Sequence, residues 1–163
     1  MASIAIDFGA ARIKVAAYDA ALGKATRIDI GRERRAFLPH AIYISADGEL
    51  LAGHDAQIEA DRDPAGSVHG TKIKHGLDKP GAVLRNGHKF TRLELAETLF
   101  RFVREESQRF PYVNQVVTNC WLTVPATFDT EERLCILESA RRAGFAQVTE
   151  IEEPVAAGTF QSA

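Results

Sequence analysis

The first 19 residues constrain the fold most strongly, because their pattern is typical of two paired β-strands. Apolar residues alternate through Ile4–Phe8, a turn of small residues follows, and an extended pattern resumes at Val15–Tyr18. The pattern predicts a β-hairpin whose bend carries Asp7 and Gly9. A carboxylate at a strand end, beside a glycine that lets backbone N–H groups approach a ligand, suits a site for metal ion and phosphate. The alternative is an ordinary hairpin in which Asp7 is a turn residue.

More short strands and turns follow this hairpin. A third strand is predicted at Ala25–Ile30, and the turn sequence Asp47-Gly48 predicts a second hairpin. A short helix is predicted at Asp55–Asp61. Residues 65–83 are rich in glycine and basic residues and predict a loop or a short helical piece, where functional residues often lie. Asn86-Gly87 indicates one further hairpin.

Two helices carry clear start signals. Thr91 and Glu94 form a T-x-x-E capping box, and apolar residues follow at helical spacing. Asp129 and Glu132 form a second capping pair, for a helix that ends at Gly144. Each helix therefore buries one face.

The strands around the second helix indicate the topology. Gln115–Val124 is apolar with little alternation, which predicts a strand covered on both faces with Trp121 in the core. A short strand is predicted at Val148–Ile151, and Pro154 is placed to begin another helix. This order predicts an antiparallel start to a sheet and a parallel continuation with crossover helices, which is an α/β fold.

Composition and charge exclude some partners. The 163 residues are 45% apolar and 26% charged, as in globular proteins with one core or two small lobes. A net charge of −2 gives no overall attraction to nucleic acid or an anionic membrane, and neither is expected as a partner. Residues 69–92 hold six basic residues and one acidic residue, whereas residues 129–153 hold seven acidic and three basic ones. These stretches are solvated faces, or the first belongs to a basic lobe that closes over an anionic ligand.

Cysteine use and hydropathy indicate a cytoplasmic protein. Cys120 and Cys135 lie in apolar patterns without metal-ligand spacing, so both are expected to be reduced core residues. No stretch approaches the ~18 apolar residues that a membrane span requires. Asp7 interrupts the N-terminal apolar run too early for a signal peptide. The five histidines form no recognisable metal set.

Several separated segments resemble one family, in the same order along the chain. IAIDFG is similar to the opening phosphate loop of actin-like ATPases. The remaining segments resemble seventy-kilodalton heat-shock proteins of the DnaK type: ADGELLAGHDAQIEADRDP, GTKIKHG, LTVPATFDTEERLCILESARRAGF and IEEPVAAG. Residues 122–158 form the most specific part of this resemblance.

The resemblance implies a fold and a domain organisation. The fold would be ribonuclease-H-like, with a mixed sheet, crossover helices and an inserted α+β subdomain. Residues 1–38 and 112–163 would form an incomplete subdomain of the IA type, and residues 39–111 an inserted subdomain of the IB type. The complete parent protein would add a second lobe and a peptide-binding domain, and it would have co-chaperone partners. The chain is therefore expected to be the front part of a larger protein.

The resemblance also implies roles for individual residues around ATP or ADP and Mg²⁺. Asp7 would contact Mg²⁺ through its water shell, and Lys72 would lie over the terminal phosphate. Glu153 would order the attacking water or the metal shell. Pro125 would relay nucleotide state between lobes. The structural alternatives are a turn aspartate, a surface lysine, a glutamate at a helix N-terminus and a strand terminator.

The phosphate loop departs from the family pattern at Ala10 and Ala11. The family has a pair of threonines there, whose hydroxyl and N–H groups contact phosphate. Alanine keeps the N–H donors beside Gly9 and deletes the hydroxyls, at about 0.5–1.5 kcal/mol for each lost hydrogen bond. Lys14 offsets part of this loss if it points toward the ligand, since actin carries a lysine at the matching distance.

Three functions remain open from the sequence. The leading one is an ATP-binding, ATP-hydrolysing lobe of a heat-shock-like chaperone. A sugar kinase of the same fold is the second, although LTVPATF lacks the expected acidic base. A degenerate module that binds nucleotide or a partner without turnover is the third, because of the two alanines. The chain alone is expected to be inactive, since it lacks the second phosphate loop and the base pocket.

Overall fold

The computed structural model describes most of the chain. The described residues are 2–9, 11–31, 34–69, 84–85, 88–111, 113, 115–125 and 127–152. Among them, no helix combines the length and the hydropathy needed to cross a membrane.

The described residues form strands and three α-helices. The strands are β1 (Ala2–Phe8), β2 (Arg12–Asp19), β3 (Lys24–Ile28), β4 (Leu38–Pro39), β5 (Ala41–Ile44), β6 (Leu50–Ala52), β7 (Ser67–His69), β8 (Leu84–Arg85), β9 (His88–Lys89), β10 (Val117–Val124) and β11 (Gln147–Glu152). The helices are α1 (Gly53–Arg62), α2 (Arg92–Gln108) and α3 (Thr130–Arg142), with a 3₁₀ turn at Pro64–Gly66.

The largest sheet has the order β11-β10-β1-β2-β3, and β4 pairs with β2 beside this path. Strand β1 pairs parallel with β10, which pairs parallel with β11. Strands β1, β2 and β3 pair antiparallel as consecutive hairpins. The sequence-based prediction of a mixed α/β fold, with an antiparallel start and a parallel continuation, is confirmed.

One face of this sheet is buried against α2 and α3. The alternation in β1 places Ile4, Ile6 and Phe8 at 1% exposure or less, and the ring of Phe8 stacks on that of Phe100 with centroids 4.6 Å apart. Burying side chains of this size contributes about 1.5–3 kcal/mol each. Because successive residues of a strand face opposite sides, the same alternation directs Asp7 away from the core.

Both predicted helix caps are present. Thr91 accepts a hydrogen bond from the Glu94 N–H, and the Glu94 carboxylate accepts one from the Thr91 N–H at 2.7 Å. Asp129 and Glu132 make the equivalent pair at the start of α3, where the Glu132 N–H donates to Asp129 at 2.8 Å. Such caps contribute about 1 kcal/mol each and fix where the helices begin.

A second, smaller sheet has the order β6-β5-β7, with α1 packed against it. The hairpin predicted around Asp47-Gly48 forms β5 and β6, and β8 and β9 pair on either side of Asn86-Gly87 as predicted. The prediction of a loop or short helical piece over 65–83 is wrong at Ser67–His69, which pairs antiparallel with β5. Three residues are too few for sequence periodicity to reveal, and pairing with β5 decides their conformation.

The prediction that Trp121 belongs to the core is wrong. Trp121 is 49% exposed, whereas its neighbours Cys120 and Leu122 are buried. Strand β10 is therefore packed mainly on one face in the described structure, because alternation places Trp121 opposite the helices. Leu134, on α3, is likewise 59% exposed despite its place in the apolar pattern. The helix predicted to begin at Pro154 lies outside the described residues.

Neither cysteine forms a disulfide in the described part of the chain. Cys120 is buried as expected, whereas the prediction that Cys135 is a core residue is wrong, because it is only half-buried on α3. Burial raises the pKa of the Cys120 thiol from 9.0 to about 12, because the apolar core disfavours the thiolate. We expect a thiol-reactive dye at pH ~8 to modify Cys135 and to leave Cys120 unmodified in the native protein, since the thiolate is the reactive form. Both thiols should react after denaturation. A Cys135→Ser variant is the control and should show no rapid reaction. Rapid native labelling of Cys120 in that variant would contradict the burial.

Candidate functional site

Asp7 lies at the carboxyl end of β1, between β2 and β10. Its register partners are Lys14 on the antiparallel neighbour and Thr123 on the parallel neighbour. The Thr123 hydroxyl donates a hydrogen bond to Asp7 Oδ1 at 3.1 Å, and Lys14 Nζ lies 3.4 Å from Asp7 Oδ2. The carboxylate is thus held from both sides by groups that the sheet register brings together.

Exposure keeps this carboxylate available to a ligand. The Asp7 side chain is 40% exposed and that of Lys14 is 61% exposed. Solvent screens an ion pair of this kind, so it contributes about 0–1 kcal/mol and can rearrange when a ligand arrives. A carboxylate and an ammonium that share an open strand end can contact a cation and an anion respectively.

The turn after β1 admits no side chain at Gly9. A Cβ atom at this position would lie 2.6 Å from the Arg12 carbonyl oxygen. The clash is with backbone, so relief would require the turn itself to move. Glycine is therefore required at this bend by the close approach of the Arg12 carbonyl, whereas the approach of backbone N–H groups to a ligand stays a prediction.

His40 contacts the backbone of the turn between β1 and β2. Its ring Nδ1 lies 2.7 Å from the Gly9 carbonyl oxygen, and its backbone N–H donates to the Ala11 carbonyl oxygen at 3.0 Å. The ring of His40 also packs edge-on against Phe8, with centroids 4.4 Å apart. Ala11 itself is exposed.

Three of the residues that the resemblance implies for this site, Ala10, Lys72 and Glu153, lie outside the described residues. The other four, Asp7, Gly9, Ala11 and Lys14, lie together at the β1–β2 hairpin. Pro125 directly follows β10 and therefore lies near the same end of the sheet as Thr123. The approach of Lys72 to Asp7 remains a prediction.

Sequence reasoning missed Thr123 and His40 as contacts of the site. Thr123 lies in the strand predicted over Gln115–Val124, but its pairing opposite Asp7 depends on a parallel register across 116 residues of sequence. His40 contacts Gly9 across 31 residues and belongs to no local motif. If the register of the parallel pair β1 and β10 had been assigned from the sequence, Thr123 would have been identified as the residue opposite Asp7. No sequence signal pointed to His40.

The side chains of the site fit a divalent cation that takes most of its ligands from water and phosphate and few from the protein. Within the described residues, no three His, Cys, Asp or Glu side chains are grouped closely enough to hold a metal ion. Asp7 offers one exposed carboxylate at a strand end, next to a turn of backbone amides. Mg²⁺ retains several waters and is usually held by one or two carboxylates plus phosphate oxygens. The site therefore fits Mg²⁺ together with a phosphate ligand.

We expect Gly9→Ala to destabilise the protein by about 1–3 kcal/mol, because the new Cβ would displace the β1–β2 turn. Chemical denaturation followed by circular dichroism measures this change. Ala11→Ser, in the same turn, is the matched control and should leave stability within about 0.5 kcal/mol, because Ala11 is exposed. Equal stability of the Gly9→Ala variant and the wild type would contradict the geometry.

The chain is similar to known chaperones. The model of a family described as Hsp70 protein matches residues 67–159. Chaperone protein DnaK of Elusimicrobium minutum is 29% identical over 158 residues, which cover 94% of this chain and 24% of the relative. DnaK of Endomicrobium trichonymphae is 29% identical over 119 residues, which cover 73% of this chain and 18% of the relative.

A third relative has a different name. The chaperone protein HscA homolog of Chromobacterium violaceum is 29% identical over 142 residues, covering 76% of this chain and 22% of the relative. The chain spans about a fifth to a quarter of the length of these curated relatives. The family model covers more than half of the chain. The chain therefore belongs to the Hsp70 family and matches its N-terminal ATPase region.

Proposed function

We propose that this chain is one lobe of the ATP-binding and ATP-hydrolysing domain of an Hsp70-type chaperone. The observation that carries the proposal is the Asp7 carboxylate, held at the end of a central strand by Thr123 and Lys14 beside a turn without a side chain at Gly9. Membership of the Hsp70 family supports nucleotide as the ligand. The ribonuclease-H-like form of the fold is part of the proposal, and the strand order β11-β10-β1-β2-β3 is compatible with it.

The domain organisation is proposed as residues 1–38 and 112–163 for the larger subdomain and 39–111 for the inserted one. Two observations support it: β1–β3, β10 and β11 share one sheet, and β5–β7 form a separate sheet with α1. Helix α2 lies at the boundary, because it packs on α3 and β10 of the larger subdomain and also on β6 of the inserted one.

Each residue of the site has a proposed task. Asp7 would contact Mg²⁺ through the ion's water shell, and the ion would neutralise phosphate charge when bound. Backbone N–H groups of the turn after Gly9 bind phosphate oxygens, as amides in such turns bind anions. Lys14 adds positive charge at the same edge. Lys72 would stabilise the terminal phosphate and Glu153 would orient the attacking water, as the family resemblance implies.

Ala10 and Ala11 are the reason for considering an alternative function. Without hydroxyls at positions 10 and 11, the turn offers phosphate only backbone donors, and this favours a module that binds nucleotide without turnover. A sugar kinase is not favoured, because the relatives that match are chaperones. In either case we propose that residues 1–163 alone hydrolyse no ATP, and that a second lobe, a peptide-binding domain and co-chaperones act with this lobe in the parent protein.

Asp7→Asn is expected to weaken Mg-ATP binding by about tenfold, because it removes the charge that orders the metal's water shell. Isothermal titration calorimetry with and without EDTA, on the longest natural polypeptide that contains these residues, measures the effect. Asp47→Asn is the matched control, since this exposed carboxylate lies in the turn between β5 and β6 of the smaller sheet. Absence of Mg-ATP binding by the wild type at millimolar concentration would refute the proposal.

A double substitution, Ala10→Thr with Ala11→Thr, separates hydrolysis from binding alone. If the lobe belongs to an ATPase, restored hydroxyls should raise the single-turnover rate of ATP hydrolysis severalfold in the longest natural polypeptide that contains these residues, because each can add a hydrogen bond to phosphate. The control is the pair of serine substitutions, which restores hydroxyls with less bulk. An unchanged rate with unchanged nucleotide affinity would support the module without turnover.

A further inference from the structure

The two oxygens of the Asp7 carboxylate have different partners. Oδ1 accepts a hydrogen bond from the Thr123 hydroxyl at 3.1 Å, and Oδ2 lies 3.4 Å from the Lys14 ammonium. Thr123 is half-buried on β10, whereas the Lys14 side chain is 61% exposed. A neutral hydroxyl on the sheet therefore holds one oxygen, and a solvated cation lies at the other.

The contact with Lys14 is the looser of the two. Its N–O separation of 3.4 Å exceeds the usual hydrogen-bond range of about 2.7–3.2 Å. By comparison, the exposed pair of Arg27 with Asp29 has a separation of 2.7 Å. Lysine carries its charge on a long, flexible side chain, so its ammonium can exchange one anion for another without movement of the backbone.

The neighbouring cation on β2 is held elsewhere. Arg12 lies two residues before Lys14 and, by the alternation of a strand, on the same face of the sheet. Its guanidinium lies 4.4 Å from the centroid of the Phe37 ring, in a cation–π contact. The charge that faces Asp7 from this strand is therefore that of Lys14.

An ammonium at Oδ2 opposes the binding of a divalent cation at the same oxygen. Lysine and a hydrated metal ion both direct donor hydrogens at a carboxylate oxygen, and they repel each other because both are positive. Binding of a free metal ion therefore requires Lys14 to move into water. Binding of a metal ion together with phosphate instead gives the ammonium a new anion.

We propose that Lys14 is a specificity-determining residue that makes this site select a metal–phosphate complex over the free metal ion. The ammonium neutralises Asp7 in the ion pair of the structure and passes to phosphate in the complex, which leaves Oδ2 to the water shell of the ion. Thr123 keeps Oδ1 throughout and so preserves the position of the carboxylate. This inference rests on the proposed function of the lobe and adds to it the discrimination between free and complexed metal.

The test compares Lys14→Gln with the wild type in the longest natural polypeptide that contains these residues. Mn²⁺, which binds the same oxygen ligands as Mg²⁺, is the probe for the free ion, because its paramagnetism broadens the amide resonances of nearby residues such as Asp7 and Thr123. We expect Lys14→Gln to tighten Mn²⁺ binding by about threefold, because it removes the competing charge. Calorimetry should show Mg-ATP binding weakened by about threefold to tenfold, because the same charge binds phosphate.

The opposite signs of these two changes separate the proposal from other roles of Lys14. A lysine that only stabilised the hairpin would change both affinities in the same direction, and a solvated surface lysine would change neither. Arg12→Gln is the matched control, since it removes an exposed positive charge from the same strand and face. It should change either affinity by less than about twofold, because salt screens charges that are not in direct contact.

Equal Mn²⁺ affinity of Lys14→Gln and the wild type would overturn the inference, and so would the absence of broadening in both proteins. Tighter Mg-ATP binding by Lys14→Gln would also overturn it, since Lys14 would then oppose the metal without binding phosphate. Equal effects of Arg12→Gln and Lys14→Gln would overturn it as well, because they would indicate long-range charge alone. If the wild type binds Mg-ATP while any of these results appears, only the inference fails. If the wild type binds none, the proposed function fails and the inference with it.

Discussion

The position of β1 in the middle of the sheet is the constraint on which the rest of the structure depends. Parallel pairing with β10 and antiparallel pairing with β2 satisfy its backbone on both sides. The alternation of its side chains then permits one arrangement. Ile4, Ile6 and Phe8 are buried in the core against α2, and Asp7 lies on the opposite face of the sheet. A slip of one residue would bury the carboxylate and expose three large apolar side chains, at a cost of several kcal/mol.

The same pairing assembles the candidate site. Lys14 reaches Asp7 because a hairpin brings adjacent strands together, and Thr123 reaches it because a crossover helix returns the chain parallel to β1. The turn that joins β1 to β2 is closed by Gly9, which has no room for a Cβ, and by His40. The site is thus a product of sheet topology, and the binding of Mg-nucleotide there stays a proposal.

The elements that could be predicted are those specified by local chemistry. Capping pairs at Thr91 and Asp129 located two helices, and turn dipeptides located the hairpins, because these signals act within a few residues. Trp121 and Ser67–His69 were assigned incorrectly. An apolar strand does not reveal which of its faces meets a helix, and a three-residue strand exists only through its partner β5. The approach of Lys72 and Glu153 to Asp7 stays a prediction.

By itself, the sequence determined the order of the longer strands and of the helices, the caps and turns that bound them, the acidic residue at the first bend, and the resemblance to the family. These properties depend on neighbours in the chain or on motifs that can be read as such. Only the tertiary structure decided that Thr123 supports the Asp7 carboxylate, that His40 holds the turn, and that Trp121 faces outward. Each of these depends on which distant segments pair and in what register, and that is settled when the whole core packs and no local pattern encodes it.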